Sequence, residues 1–148
     1  MSAQLLTRTL LEEADLIDAL LELVVEQREA IKSGNHTGMQ DLMKSIQEVF
    51  FRIQAQEAHR ARVASETAKA WGCEPRLSAL LSAAPEEERA LFRGAGERLN
   101  HTVFSLKAEM AILKNLIEQN ESFSAMLLSE WRRLDAGFLR AGGLDFRG

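Results

Sequence analysis

The sequence predicts an all-α protein, an antiparallel up-and-down bundle of three long helices with a short connecting helix and a C-terminal fourth helix or helical extension. Its 148 residues include only two prolines and no tyrosine and are rich in Leu, Ala, Glu and Arg, a composition typical of long helices. Apolar residues also recur every three or four positions in three separate stretches, which places them on one helix face. The length suits a single domain over residues 1–148.

The first helix is predicted over about residues 2–32. Its apolar stripe is broad, which is typical of a helix that packs against two neighbours rather than one. Arg28 interrupts the stripe, and Gly34 can take the left-handed conformation that closes a helix. The stripe consists of Leu10, Ala14, Ile17, Leu21, Val24 and Ile31, widened by Leu6, Leu16, Leu20 and Val25.

The second helix is predicted over about residues 37–71. Thr37 and Gln40 form a capping-box pattern, with Asn35 as a competing N-cap residue. Because the preceding loop is short, the first two helices should be antiparallel neighbours. The stripe of this helix is Met39, Leu42, Ile46, Val49 and Ile53.

The second helix becomes polar in its later half. Gln56, Arg60 and Ala64 occupy its inward positions, so we expect this half to pack less tightly or to be more exposed. Gly72 and then Pro75 should end the helix.

A short helical turn at residues 77–81 leads to the third long helix, predicted over about residues 85–120. Pro85 followed by three glutamates is a strong helix start. Gly94 and Gly96 should allow fraying or bending without a break. The stripe of the third helix is Leu99, Val103, Leu106, Met110, Leu113 and Ile117.

Residues 121–139 carry more apolar surface than three helices need for their own packing. Met and aromatic side chains at one-turn spacing suit the binding of a helix in a groove. The alternative is a fourth core helix, and both hold if that helix detaches when a partner arrives. We therefore predict a partner-binding strip of Phe123, Met126, Leu127, Leu128, Trp131, Leu134 and Phe138.

The charge and hydropathy of the sequence argue against some classes of binding partner. The net charge of −4 comes from interspersed charges with no basic patch, which argues against nucleic acid. No apolar run is long enough for membrane insertion, and the first residues lack a signal-peptide pattern. Cys73 is the single cysteine, so no intramolecular disulfide is expected. We expect a cytoplasmic location.

The sequence offers no catalytic, metal-binding or cofactor-binding residues, and we expect a protein that is not an enzyme. The three histidines lack the spacing of a helical metal site. One alternative is a histidine phosphotransfer module that uses His101 in the third helix. The stretch around His101 lacks the lysine and small residue at the positions such modules use, and a solvated histidine is the simpler interpretation.

The order and spacing of several segments resemble the FlgN family of flagellar type III export chaperones. The similarity covers most of residues 5–135 and is a pattern rather than one motif. It consists of Leu20-Leu21-Glu22-Leu23, Glu29-Ala30-Ile31, Gly34-Asn35, Leu42 with Ile46, Trp71-Gly72, Leu77-Ser78-Ala79-Leu80-Leu81, and Leu113 through Asn120.

The resemblance implies a cytosolic chaperone that binds helical regions of hook-associated proteins, prevents their premature assembly and delivers them to the export apparatus. It also implies that the C-terminal segment binds the partner. Family members use a C-terminal tyrosine to contact the export gate; this chain has none, so the contact is in doubt or moves to Phe123 or Trp131. A second hypothesis is a structural coiled-coil or adaptor protein that dimerises through the third helix, and weak homo-oligomers are compatible with either.

Overall fold

The computed structural model describes residues 3–119 and 129–134, and within these ranges the structure is helical with no strand. The elements are α1 (Gln4–Ser33), α2 (His36–Trp71), α3 (Leu77–Ala83) and α4 (Glu86–Gln119). Residues 129–134 are also helical. The all-α prediction is confirmed. None of the described helices is long and apolar enough to span a membrane.

The helix ends follow local chemistry. Gly34 and Gly72 both have positive φ and close α1 and α2, as predicted. Asn35 is the N-cap of α2, since its side chain accepts a 2.9 Å hydrogen bond from the backbone N–H of Gly38. The Thr37 capping box is therefore wrong, and the competing residue caps the helix. Helix α4 begins at Glu86, one residue after Pro85.

Helix α1 packs along both α2 and α4. Its contacts with α2 are antiparallel: near the start of α1, the backbone carbonyl of Thr9 accepts a hydrogen bond from Gln56, and near its end, Gln27 bonds to Met39. Its contacts with α4 are parallel. The backbone N–H of Ala3 donates to Glu88, and Arg28 pairs with Glu109 at the far end. This helix packing is consistent with the predicted up-and-down bundle.

Few backbone positions of α2 and α4 approach each other closely in the described chain. A groove therefore runs between these two helices, with α1 at its base. Helix α3 contacts both α2 and α4 at one end of the bundle. Gly96 permits this approach, because a Cβ atom there would lie 3.0 Å from Cδ2 of Leu77. Gly94 and Gly96 leave α4 unbroken, as expected.

The expectation of a loosely packed second half of α2 is wrong. Val63, Ala64 and Ala68 are buried, and so are the charged residues Glu57 and Arg60. The polar residues at inward positions suggested loose packing, whereas Arg60 and Glu57 form a buried polar cluster with Glu13 of α1. The apolar core is continuous and includes Leu6, Leu10, Ile17, Leu20, Val24, Ile46, Ile53, Phe92, Leu99, Leu106 and Leu113.

Candidate functional site

The helical residues 129–134, here called the docked segment, contact all three long helices. Trp131 is 1% exposed and Leu134 is 5% exposed, so both side chains are inserted into the protein. The indole Nε1 of Trp131 donates a 2.7 Å hydrogen bond to Oε1 of Gln27 on α1. Beside it, Glu130 accepts from Gln47 of α2, and Arg132 pairs with Glu118 of α4. The docked segment therefore lies in the groove between α2 and α4.

Gln27 is the polar group at the base of this groove. It is fully buried on α1. Its amide nitrogen donates to the backbone carbonyl of Met39 at 3.3 Å and lies 3.7 Å from the sulfur of Met43. These contacts orient the amide so that its oxygen points at Trp131. Since a buried polar group without a partner is costly, the amide and the indole satisfy each other.

Of the polar contacts at the edge of the docked segment, the one between Gln47 and Glu130 is part-buried and the one between Arg132 and Glu118 is exposed. Nε2 of Gln47 lies 3.2 Å from Glu130, and the pair of Arg132 with Glu118 spans 3.8 Å. A hydrogen bond from Arg133 lowers the pKa of Glu130. Exposed ion pairs contribute little to stability. The burial of Trp131 and Leu134 therefore holds the docked segment in place, since deleting a buried tryptophan side chain costs about 3–5 kcal/mol.

The structure places two residues of the predicted partner-binding strip. Trp131 and Leu134 face the groove of their own chain rather than solvent. This is the arrangement of the fourth-helix alternative for that part of the strip. The other five residues lie outside the described part of the chain: Phe123, Met126, Leu127, Leu128 and Phe138.

Gln27 was missed by sequence reasoning, although a signal existed. One line of buried positions on α1 follows alternating steps of four and three residues, and polar side chains occupy two positions of this line. These are Glu13 and Gln27, and each meets a polar partner from elsewhere, Arg60 and Trp131 respectively. A polar residue in register with an apolar stripe therefore indicated a buried polar contact. The stripe runs through Leu6, Leu10, Glu13, Ile17, Leu20, Val24, Gln27 and Ile31.

Glu13, the other polar residue of this line, belongs to a buried charged cluster of α1 and α2. Nε of Arg60 lies 3.3 Å from Oε1 of Glu13. Burial raises the pKa of Glu13, against the attraction of Arg60. Burial and then the charge of Glu13 raise the pKa of Glu57 to about 7, although Arg60 opposes the shift. One guanidinium thus serves two buried carboxyl groups, which favours a protonated Glu57.

The described residues contain no group of three His, Cys, Asp or Glu side chains that could hold a metal ion. His101 occupies an exposed position on α4, and the phosphotransfer hypothesis stays a prediction. On the same helix Phe104 is 74% exposed, and Ile112, two turns later, is exposed as well. These two residues place apolar surface on the outer side of α4.

A family model described as FlgN protein matches residues 1–137 of the chain. The match covers α1 to α4 and the docked segment. No curated protein and no solved structure matches the chain.

Proposed function

The chain belongs to the FlgN family of flagellar export chaperones, and we propose that it binds helical regions of hook-associated proteins in the cytoplasm and delivers them to the type III export apparatus. The observation that carries this proposal is the docked segment, whose Trp131 and Leu134 fill a groove between α2 and α4. Its polar contacts with α2 and α4 are part-buried or exposed, so solvent can replace them. The chaperone needs no catalytic residue for this task.

The proposed mechanism is exchange. Helical regions of secreted filament components carry apolar stripes that would otherwise associate prematurely. When the docked segment lifts, it exposes Trp131 and Leu134 on one side and the groove on the other. The freed strip then packs on the cargo helix. The strip comprises Phe123, Met126, Leu127, Leu128, Trp131, Leu134 and Phe138, and the up-and-down bundle of three long helices is its support.

Contact with the export gate is a separate part of the proposal. The chain has no tyrosine, so an aromatic residue of another type must take that role. Phe123 or Trp131 is the proposed contact. Trp131 can contact the export gate only after the docked segment has detached, because its indole is buried while the segment lies in the groove.

Truncation after Asn120 tests the chaperone function. Purified full-length and truncated proteins are titrated with purified hook-associated proteins by calorimetry, and helicity is followed by circular dichroism. We expect the truncated protein to keep its long helices and to lose cargo binding. Cargo binding equal to that of the full-length chain would refute the role of the C-terminal segment.

A locked variant tests the exchange. Gln47→Cys and Glu130→Cys in a Cys73→Ser background place two thiols where a hydrogen bond now joins α2 to the docked segment. A short bis-maleimide should join them and prevent cargo binding, whereas the same variant without the linker should bind. If the linked protein binds cargo as tightly as the unlinked one, detachment is not required.

The exposed residues of α4 favour a second candidate function, an adaptor that dimerises through this helix. Phe104 and Ile112 lie two turns apart, which suits a helix–helix contact. Sedimentation equilibrium of the wild type and a Phe104→Ser variant tests it. A dimer that Phe104→Ser dissociates would support the adaptor, and a monomer at all concentrations would exclude it.

A further inference from the structure

Building on the proposed function, we infer that the groove beneath the docked segment is itself a receptor site for a cargo helix that brings a hydrogen-bonding aromatic side chain, tryptophan or tyrosine, to Oε1 of Gln27. The proposed function assigns binding to the C-terminal strip. This inference adds a second surface, on α1, α2 and α4, and gives the chemistry of its occupant.

The selectivity of the groove for an aromatic donor comes from the hydrogen bonds that the Gln27 amide already makes. Its nitrogen is already directed at the carbonyl of Met39 and the sulfur of Met43. Only the oxygen faces the occupant of the groove, and at present it accepts the 2.7 Å hydrogen bond of the Trp131 indole. Once the docked segment lifts, this buried acceptor needs another donor. An occupant without one would leave it unsatisfied, so the site discriminates against purely apolar side chains.

The residues at the edge of the groove also favour a particular order of charged residues in the cargo helix. In the docked segment an acidic residue, Glu130, faces Gln47 of α2, and the arginine after Trp131 faces Glu118 of α4. Leu134, three positions after the indole, is buried as the second anchor. A cargo helix with an acidic residue, an aromatic donor, a basic residue and a following apolar residue in these positions would reproduce these contacts with the groove.

The experiment uses a full-length Trp131→Ala/Leu134→Ala variant, in which the groove has lost its two internal anchors. The probes are two synthetic peptides with the sequence of residues 121–139. One carries tryptophan at position 131, and the other carries benzothienylalanine, which has the same ring shape without the N–H donor. Binding is measured by fluorescence anisotropy of a terminal label.

We expect the tryptophan peptide to bind about tenfold more tightly than its sulfur analogue, as for a hydrogen bond to a buried acceptor. In a Gln27→Leu version of the same variant, the difference should fall below about twofold. Circular dichroism shows whether each variant is folded. Because the peptide pair alone measures the donor, the test does not depend on the folding of the Gln27→Leu protein. Equal affinities of the two peptides would overturn the inference.

Three further outcomes bear on this inference, and the first two separate it from the proposed function. If the peptides discriminate but no hook-associated protein binds the full chain, the groove chemistry holds and the proposed cargo is wrong. If cargo binds the Gln27→Leu protein as tightly as the wild type, the groove inference fails and the chaperone function stands. A concentration-dependent dimer of the wild type that Trp131→Ala abolishes would place a second copy in the groove and overturn the cargo assignment.

Discussion

Replacing Glu57 by glutamine should make the protein more stable at pH 8 and should remove part of the pH dependence of its stability. Glu57 is 7% exposed, and its pKa is raised from its ordinary value of 4.5 to about 7. The causes are burial and the neighbouring charge of Glu13, which Arg60 offsets in part. Glutamine has nearly the same shape and is neutral at every pH. It therefore mimics the protonated carboxyl group.

Glu57 makes the free energy of unfolding depend on pH, because its proton binds with different affinity to the folded and unfolded states. Because the pKa is raised, the folded state binds the Glu57 proton more tightly than the unfolded state. This contribution to the free energy of unfolding is full below pH 4.5 and is lost as the pH rises to about 7. A shift from 4.5 to about 7 corresponds to roughly 3 kcal/mol at most. Glu13, whose pKa burial also raises, adds a dependence of the same sign.

The assay is urea unfolding followed by far-ultraviolet circular dichroism between pH 5 and pH 8. The difference between Glu57→Gln and wild type cancels the titration of all groups that do not interact with Glu57. It should grow in favour of the variant as the pH rises and then level off above pH 7. Glu66→Gln is the matched control, because Glu66 is an exposed glutamate on the same helix. A difference that stays constant across this range would refute the assignment of a protonated, buried Glu57.

Three further substitutions test the fold. Gly94→Ala should stabilise the protein by about 0.5–1 kcal/mol, because the glycine lies in a helix interior with open space around it. Thermal unfolding measures the gain. Gly96→Ala is the control, because Leu77 crowds the new methyl group there, and a gain of equal size for it would contradict this explanation. Asn35→Ala should cost about 1 kcal/mol by loss of the N-cap, whereas Thr37→Ala should change little. Trp131→Ala should increase hydrogen exchange of the docked segment while the long helices keep their protection, and unchanged exchange would show that the indole does not hold it.

The helices of this protein were predictable because their signals are local. Apolar spacing and the glycines at positions 34 and 72 depend on neighbouring residues, and the structure has both ends as predicted. The N-cap of α2 was ambiguous because Asn35 and Thr37 both offer suitable side chains only two residues apart. Sequence spacing cannot decide which backbone N–H each one reaches.

The polar groups of the interior were not predictable in the same way. The partner of Glu13 lies 47 residues away in the chain, and the partner of Gln27 lies 104 residues away. A residue that is polar in sequence is assigned to the surface unless its partner is known, and that partner depends on how the helices pack. For this reason the sequence predicts a later half of α2 that packs less tightly or is more exposed, and it does not predict the polar base of the groove.

The parallel pairing of α1 with α4 sets an order in which the chain can fold. The backbone of Ala3 meets Glu88 across 85 residues, whereas α1 and α2 are joined by a short turn and pair with much smaller separations. Closing a short loop loses less chain entropy than closing a long one, and local contacts form sooner. During synthesis we expect the α1–α2 hairpin to emerge first and to wait, with the α4-facing side of α1 uncovered, until the ribosome has released α4.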